Sequence, residues 1–113
     1  EKLLDAVTAI SGSGPAYVFY FIEAMQQAAL ELGMDQVQAR QMVLDTFMGA
    51  SKLADSSKED VATLRAQVTS KYGTTERALM SMSANQVQQH IIAAAHAAAA
   101  RSRELGDELG KDA

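Results

Sequence analysis

The run Tyr17-Val18-Phe19-Tyr20-Phe21-Ile22 is apolar over six consecutive residues. A helix built through it has no polar side to turn toward water, so it must be covered all round. Local signals set its ends. Ser11 or Ser13 can cap its start, Pro15 falls where a missing N–H costs nothing, and Gly33 suits the left-handed residue that closes a helix. The expected span is about Ser13 to Leu32. A chain of 113 residues makes one domain and buries only about two-thirds of its extended surface. With 48% hydrophobic but only 5% aromatic residues, cover must come mostly from Ala, Val, Leu, Ile and Met. Small side chains bury little area each, so helices must approach closely, and a second copy of the chain is the natural source of the missing cover.

The remaining sequence reads as further helices with short joins. Asp35 is a cap for a second helix of roughly Gln36 to Ala54, with Val37, Met42, Val43, Phe47, Met48 and Leu53 on its apolar side. Ser57 followed by Asp60 imitates a capping box and starts a third, shorter helix through Val61, Leu64 and Val68. A fourth helix of about Thr75 to Met82 follows the turn at Ser70–Thr74. Ser83-x-x-Gln86 is a further capping box for the last helix, which holds Ile91, Ile92 and the alanine-rich run from Ala93 to Ala100. Alanine is the best helix former, and its small side chain also allows a tight crossing. Arg101 and Arg103 suit the dipole near that helix's end, and the polar tail from Gly106 onward is expected to fray. The fold class is therefore all-α, a bundle of about five helices, expected to form an intertwined dimer.

Charge and composition exclude several functions. The net charge is −4, with ten Lys and Arg scattered among fourteen acids, so no basic surface is gathered for nucleic acid. There is no cysteine, which removes disulfides and thiolate metal sites and fits the reducing cytoplasm. No segment reads as a membrane span or a signal peptide. The chain opens on Glu1 rather than Met, from which it is expected to be part of a longer protein.

Few residues suggest chemistry. Gly12-x-Gly14 has Tyr17 where a dinucleotide fingerprint needs its third glycine, and no βαβ context surrounds it. His90 and His96 are six apart, which places them on different sides of a helix and speaks against a metal pair. Glu59-Asp60 and Asp107-Glu108 are sequence neighbours that point apart, as solvated or capping acids do. The stretch Thr69-Ser70-Lys71-Tyr72-Gly73-Thr74-Thr75 is different: four hydroxyls flank one glycine where a helix should start. One reading is redundant capping, with Ser70 or Thr74 accepting from the first N–H groups. The other is an anion pocket, in which the N–H groups of Gly73, Thr74 and Thr75 hold a carboxylate at the positive end of the helix dipole.

These two stretches, Ser11-Gly12-Ser13-Gly14-Pro15-Ala16 and Val68 to Thr75, in this order and spacing, resemble the C-terminal dimerisation domain of pyrroline-5-carboxylate reductase. The resemblance covers about Asp5 to Gly106. Ser70, Gly73 and Thr75 match a Ser, a short turn ending in Gly, and a Thr two residues later. It implies a reductase of proline biosynthesis that passes hydride from NADPH or NADH to the imine carbon of 1-pyrroline-5-carboxylate, which becomes C5 of L-proline. By that similarity Ser70, Gly73, Thr74 and Thr75 bind substrate, and Thr75 is catalytic: its hydroxyl meets the ring nitrogen and favours the protonated imine, the proton itself coming from solvent or a relay. The cofactor would sit mainly on an N-terminal Rossmann domain absent from this chain, with no cofactor or metal site here. The fragment alone is then expected to be inactive, cytoplasmic, and a homodimer or larger homo-oligomer. One departure stands out: Lys71-Tyr72 replaces the family's usual Pro-Gly. If Tyr72 must take a positive φ it is strained by about 1–3 kcal/mol; otherwise the turn has another shape.

Two other readings remain. A non-catalytic helical oligomerisation module would explain the apolar first helix and alanine-rich last helix equally well. The helical domain of another nucleotide-dependent dehydrogenase shares the plan, but not the two motifs in this order.

Overall fold

A computed structural model describes residues 2–112, with side chains described for residues 2–110. Six α-helices and one π-helical turn follow in order: α1 (Lys2–Val7), the π turn (Thr8–Gly12), α2 (Gly14–Glu31), α3 (Gln36–Ser56), α4 (Val61–Gln67), α5 (Thr74–Ala84) and α6 (Val87–Asp112). No strand occurs among the described residues. The five expected helices are α2 to α6, so the all-α class holds, and α1 precedes them. Among the described residues no helix is long and apolar enough to cross a membrane.

The chain divides into two compact units, one of residues 1–18 with 81–113 and one of residues 19–80. In the first, α1 and the π turn lie against α6. Ala95, Ala98, Ala99 and Ser102 of α6 are half-buried at helical spacing, and Ala9 of the π turn is 2% exposed. Small side chains let the backbones close up there, as the alanine run suggested. Ser102 Oγ donates to Asp5 Oδ1 at 2.8 Å, tying the two ends of the sequence together.

The Ser11–Ala16 stretch corrects one expectation. It does not open a helix out of a loop; α1 already runs into it, and the π turn carries the backbone across. Ser13 N donates to Thr8 O five residues back at 2.8 Å, and Ser13 itself is right-handed helical (φ −88°, ψ −20°), whereas a capping residue is extended. The Tyr17 hydroxyl donates to Ala9 O at 2.7 Å, satisfying a carbonyl within the widened turn.

In the second unit, α2 ends as expected. Gly33 takes φ +105°, Met34 N donates to Ala29 O and Gly33 N to Leu30 O, the paired bonds of a Schellman close. Asp35 caps α3 by accepting from Gln38 N at 2.8 Å, while Gln38 Oε1 accepts from Asp35 N at 3.3 Å. This reciprocal box starts α3 at Gln36, and the helix continues two residues past Ala54. Phe21 of α2 meets Phe47 of α3 edge-on at 5.9 Å between ring centroids. Ala29, Ala39 and Val43 are buried beside that contact's two helices.

Two cap assignments and the state of the tail differ from expectation. Asp60, not Ser57, caps α4: its carboxylate accepts from Thr63 N at 2.9 Å, and that backbone bond holds its carboxyl below the usual 3.8. Ser57 Oγ instead accepts from Glu59 N at 3.1 Å, inside the join. Ser83 does not cap α6, because α5 runs on through Ala84; Gln86, at φ +55°, offers its carbonyl to His90 N. The tail does not fray within the described residues, since α6 reaches Asp112 with Arg101 bridging Glu104 at 2.9 Å and Glu108 at 3.6 Å.

The buried apolar residues among those described are three alanines and one valine. Phe19 (63% exposed), Tyr20 (77%) and Val37 (81%) face solvent in the single chain. The all-apolar run of α2 is thus covered on one side only.

Candidate functional site

The Ser70–Thr75 turn lies within the second unit, between the end of α4 and the start of α5. Thr69 Oγ1 donates back to Arg65 O at 2.6 Å and Thr69 N to Ala66 O, which finishes α4. The chain then reverses through a tight turn closed by Gly73 N donating to Ser70 O at 3.1 Å. Gly73 gives its carbonyl to Arg77 N at 3.3 Å, the first bond of α5. Of the three amides expected to face an anion, that of Gly73 is therefore committed to the turn. The N–H groups of Thr74 and Thr75 meet no protein acceptor among the described residues, and both residues are exposed. Neither Ser70 nor Thr74 caps them, so redundant hydroxyl capping is not what this turn does.

Tyr72 has φ +65°, the conformation a glycine takes without cost. A bulky residue at that angle carries strain. Its side chain is 86% exposed, with Lys71 Nζ 5.2 Å from the ring centroid, a cation–π distance that occupies the ammonium. Tyr72 N donates to Glu76 Oε1 at 3.1 Å. Sequence reasoning passed over Glu76. The available signal was an acid in the first turn of a helix opened by glycine, a near relative of the capping box.

Gly73 cannot readily be anything else. A Cβ there would lie 2.5 Å from Ser70 Oγ and 3.2 Å from Ser70 O, so the absent side chain is what lets Ser70 fold back over the turn. Ser70, Gly73, Thr74 and Thr75 are thus gathered in one exposed turn. The amides of Thr74, Thr75 and Glu76 are unengaged at the positive end of an eleven-residue helix, an arrangement that can hold an anion.

The other candidates are placed elsewhere. Gly12 and Gly14 lie in helical backbone rather than a strand-to-helix loop. His90 and His96 are both on α6, and no cluster of three His, Cys, Asp or Glu side chains occurs among the described residues. A shallow hollow along α3 is lined by Val37, Gln38, Gln41, Met42, Asp45 and Thr46. It offers no cluster of reactive groups.

Known proteins resemble this chain over nearly its whole length. Residues 1–105 match the family described as pyrroline-5-carboxylate reductase dimerisation. The pyrroline-5-carboxylate reductase of Pseudomonas aeruginosa is 45% identical over 111 residues, covering 98% of this chain and 41% of that protein. Pyrroline-5-carboxylate reductase 2 of Bacillus subtilis is 41% identical over 109 residues, covering 96% and 39%. Among solved structures, Plasmodium falciparum pyrroline carboxylate reductase with NADP bound superposes with a TM-score of 0.91 at 34% identity, covering 94% of this chain and 40% of that one. The reductase of Coxiella burnetii gives 0.89 at 38% identity, covering 93% and 39%. The chain spans about two-fifths of the length of the curated relatives it matches.

Proposed function

The chain belongs to the pyrroline-5-carboxylate reductase dimerisation family, and from that premise we propose that it is the C-terminal part of an enzyme reducing 1-pyrroline-5-carboxylate to L-proline. The observation that carries this reading is the pair of unengaged amides at Thr74 and Thr75, set beside the Thr75 hydroxyl. A substrate that is a carboxylate joined to a cyclic imine suits that set. The two N–H groups hold the carboxylate, and the Thr75 hydroxyl accepts from the protonated ring nitrogen. Holding the iminium form withdraws electrons from the imine carbon and makes it the better hydride acceptor. A threonine hydroxyl is far too weak an acid to supply that proton, so solvent or a relay provides it.

NADPH or NADH, when bound to the complete enzyme, supplies the hydride. The described residues contain no strand, and a dinucleotide site of the βαβ kind needs one, so we place the cofactor mainly on the N-terminal part of the full-length protein. The 113 residues form a single dimerisation and substrate-binding domain in this reading, with no turnover of their own. The uncovered side of α2 and the exposed Val37, Met42 and Met48 of α3 support a homodimer. The absence of cysteine suits the reducing cytoplasm, where this reading puts the enzyme. A purely oligomerising module would share those faces and, like any helical protein, would have unengaged amides at its helix starts, so the substitution at Thr75 is what separates the two readings.

The test uses the full-length enzyme. Thr75→Ala should lower kcat/KM by about 10–100-fold, the range set by losing a hydrogen bond to a charged partner, while leaving unfolding unchanged. Activity within twofold of the parent would leave the oligomerisation module as the better reading.

A further inference from the structure

We infer that Glu76 is a positioning residue of the carboxylate seat, its carboxylate holding the Tyr72 amide so that the turn keeps the shape presenting Thr74 and Thr75. The inference rests on the reading of the turn given above. A carboxylate in the first turn of a helix usually reaches back to the capping residue's own N–H. Here that group, on Gly73, is already given to Ser70 O at 3.1 Å, and Glu76 reaches one residue further, to Tyr72 N at 3.1 Å. Two consequences follow. The carboxylate is drawn away from the Thr74 and Thr75 amides, which a free first-turn acid would otherwise compete for. It also holds Tyr72 at φ +65°, a conformation that tyrosine disfavours and that nothing in its own side chain enforces, since the ring is exposed.

Tyr72 lies inside the turn that the 3.1 Å bond from Gly73 N to Ser70 O closes, so its backbone angles set where Gly73 sits. Relaxing Tyr72 toward negative φ therefore moves Gly73 and the amides that follow it. Charge argues in the same direction. A negative group at the rim of an anion seat repels the ligand, so Glu76 serves the seat through its acceptor oxygen and not its charge. Glutamine, which keeps the oxygen and loses the charge, should serve as well or better; alanine should not.

The experiment measures KM and kcat of the full-length reductase with 1-pyrroline-5-carboxylate, using Thr75→Ala as the control on the underlying reading. Glu76→Ala should raise KM about tenfold with kcat within about threefold of the parent, the signature of a disordered seat. Glu76→Gln should restore KM to the parent value or below. In a Tyr72→Gly background, where glycine takes positive φ unaided, Glu76→Ala should cost about twofold or less. If Glu76→Ala alone folds poorly, that double variant against Tyr72→Gly gives the decisive pair, and a tenfold gap between them would overturn the inference. So would an unchanged KM in Glu76→Ala, or a glutamine variant as impaired as alanine. With Thr75→Ala still crippling the enzyme, such results reject Glu76 alone; a harmless Thr75→Ala rejects the reading of the turn itself.

Discussion

Gly73→Ala puts the turn's geometry to a quantitative test. An added Cβ would lie 2.5 Å from Ser70 Oγ, 3.2 Å from Ser70 O and 3.7 Å from Ser70 Cβ, where ordinary contact begins at 3.4 Å. The hydroxyl can rotate away, since Ser70 is exposed, but the backbone carbonyl cannot. It must retreat by a few tenths of an ångström, lengthening the 3.1 Å bond from Gly73 N that closes the turn. Overpacking of this kind costs about 1–3 kcal/mol. Against it stands about 0.4–1 kcal/mol from restricting the unfolded chain. The expected net loss is about 1–2 kcal/mol, read by urea unfolding of the full-length enzyme at matched protein concentration. Activity should suffer more than stability, because the displaced Ser70 hydroxyl belongs to the proposed seat. Removing that hydroxyl as well, in Ser70→Ala/Gly73→Ala, should recover little stability, because the contact with the Ser70 carbonyl remains, and no kcat/KM. A Gly73→Ala enzyme with parental stability and parental KM would refute the reasoning, since it would show the turn open enough to admit a side chain.

Three further expectations rest on other parts of the fold. Asp60→Asn should destabilise the protein near neutral pH but not in acid: the Asp60 carboxyl is held below 3.8, so its contribution is complete above that value and disappears as pH falls through the lowered one, which paired pH-dependent unfolding curves would show. Gln86→Gly should stabilise by about 0.5–1 kcal/mol in thermal unfolding, because Gln86 stands at φ +55° and relief of left-handed strain exceeds glycine's extra chain entropy. Met42→Glu should weaken the homodimer by on the order of 3–5 kcal/mol, the cost of an unpaired charge in an interface. Light scattering at micromolar concentration would then read monomer mass, and an unchanged dimer would remove Met42 from the contact.

What the sequence disclosed follows from how local each signal is. Gly33 and Asp35 act through bonds to residues within five positions, so the close of α2 and the start of α3 are visible in the letters alone. The π turn is not: its widened backbone is secured by Tyr17 reaching Ala9, eight residues back, and by packing on α6. Ser57 and Asp60 are both competent caps, and only the structure shows which of them faces Thr63 N. The tail from Gly106 is polar, yet polar residues are adequate helix formers, and Arg101 bridges acids along it. At the candidate site, hydroxyls around a glycine made the turn before α5 legible. The role of Glu76 was hidden, because it depends on Gly73 having spent its amide on Ser70 and on the backbone angle of Tyr72.

The most direct measurement is a crystal structure of the full-length reductase with L-proline bound. The carboxylate should lie about 2.7–3.2 Å from the amides of Thr74 and Thr75, with the Thr75 hydroxyl on the ring nitrogen. Proline seated elsewhere, with those amides given to water or to another part of the protein, would contradict the account.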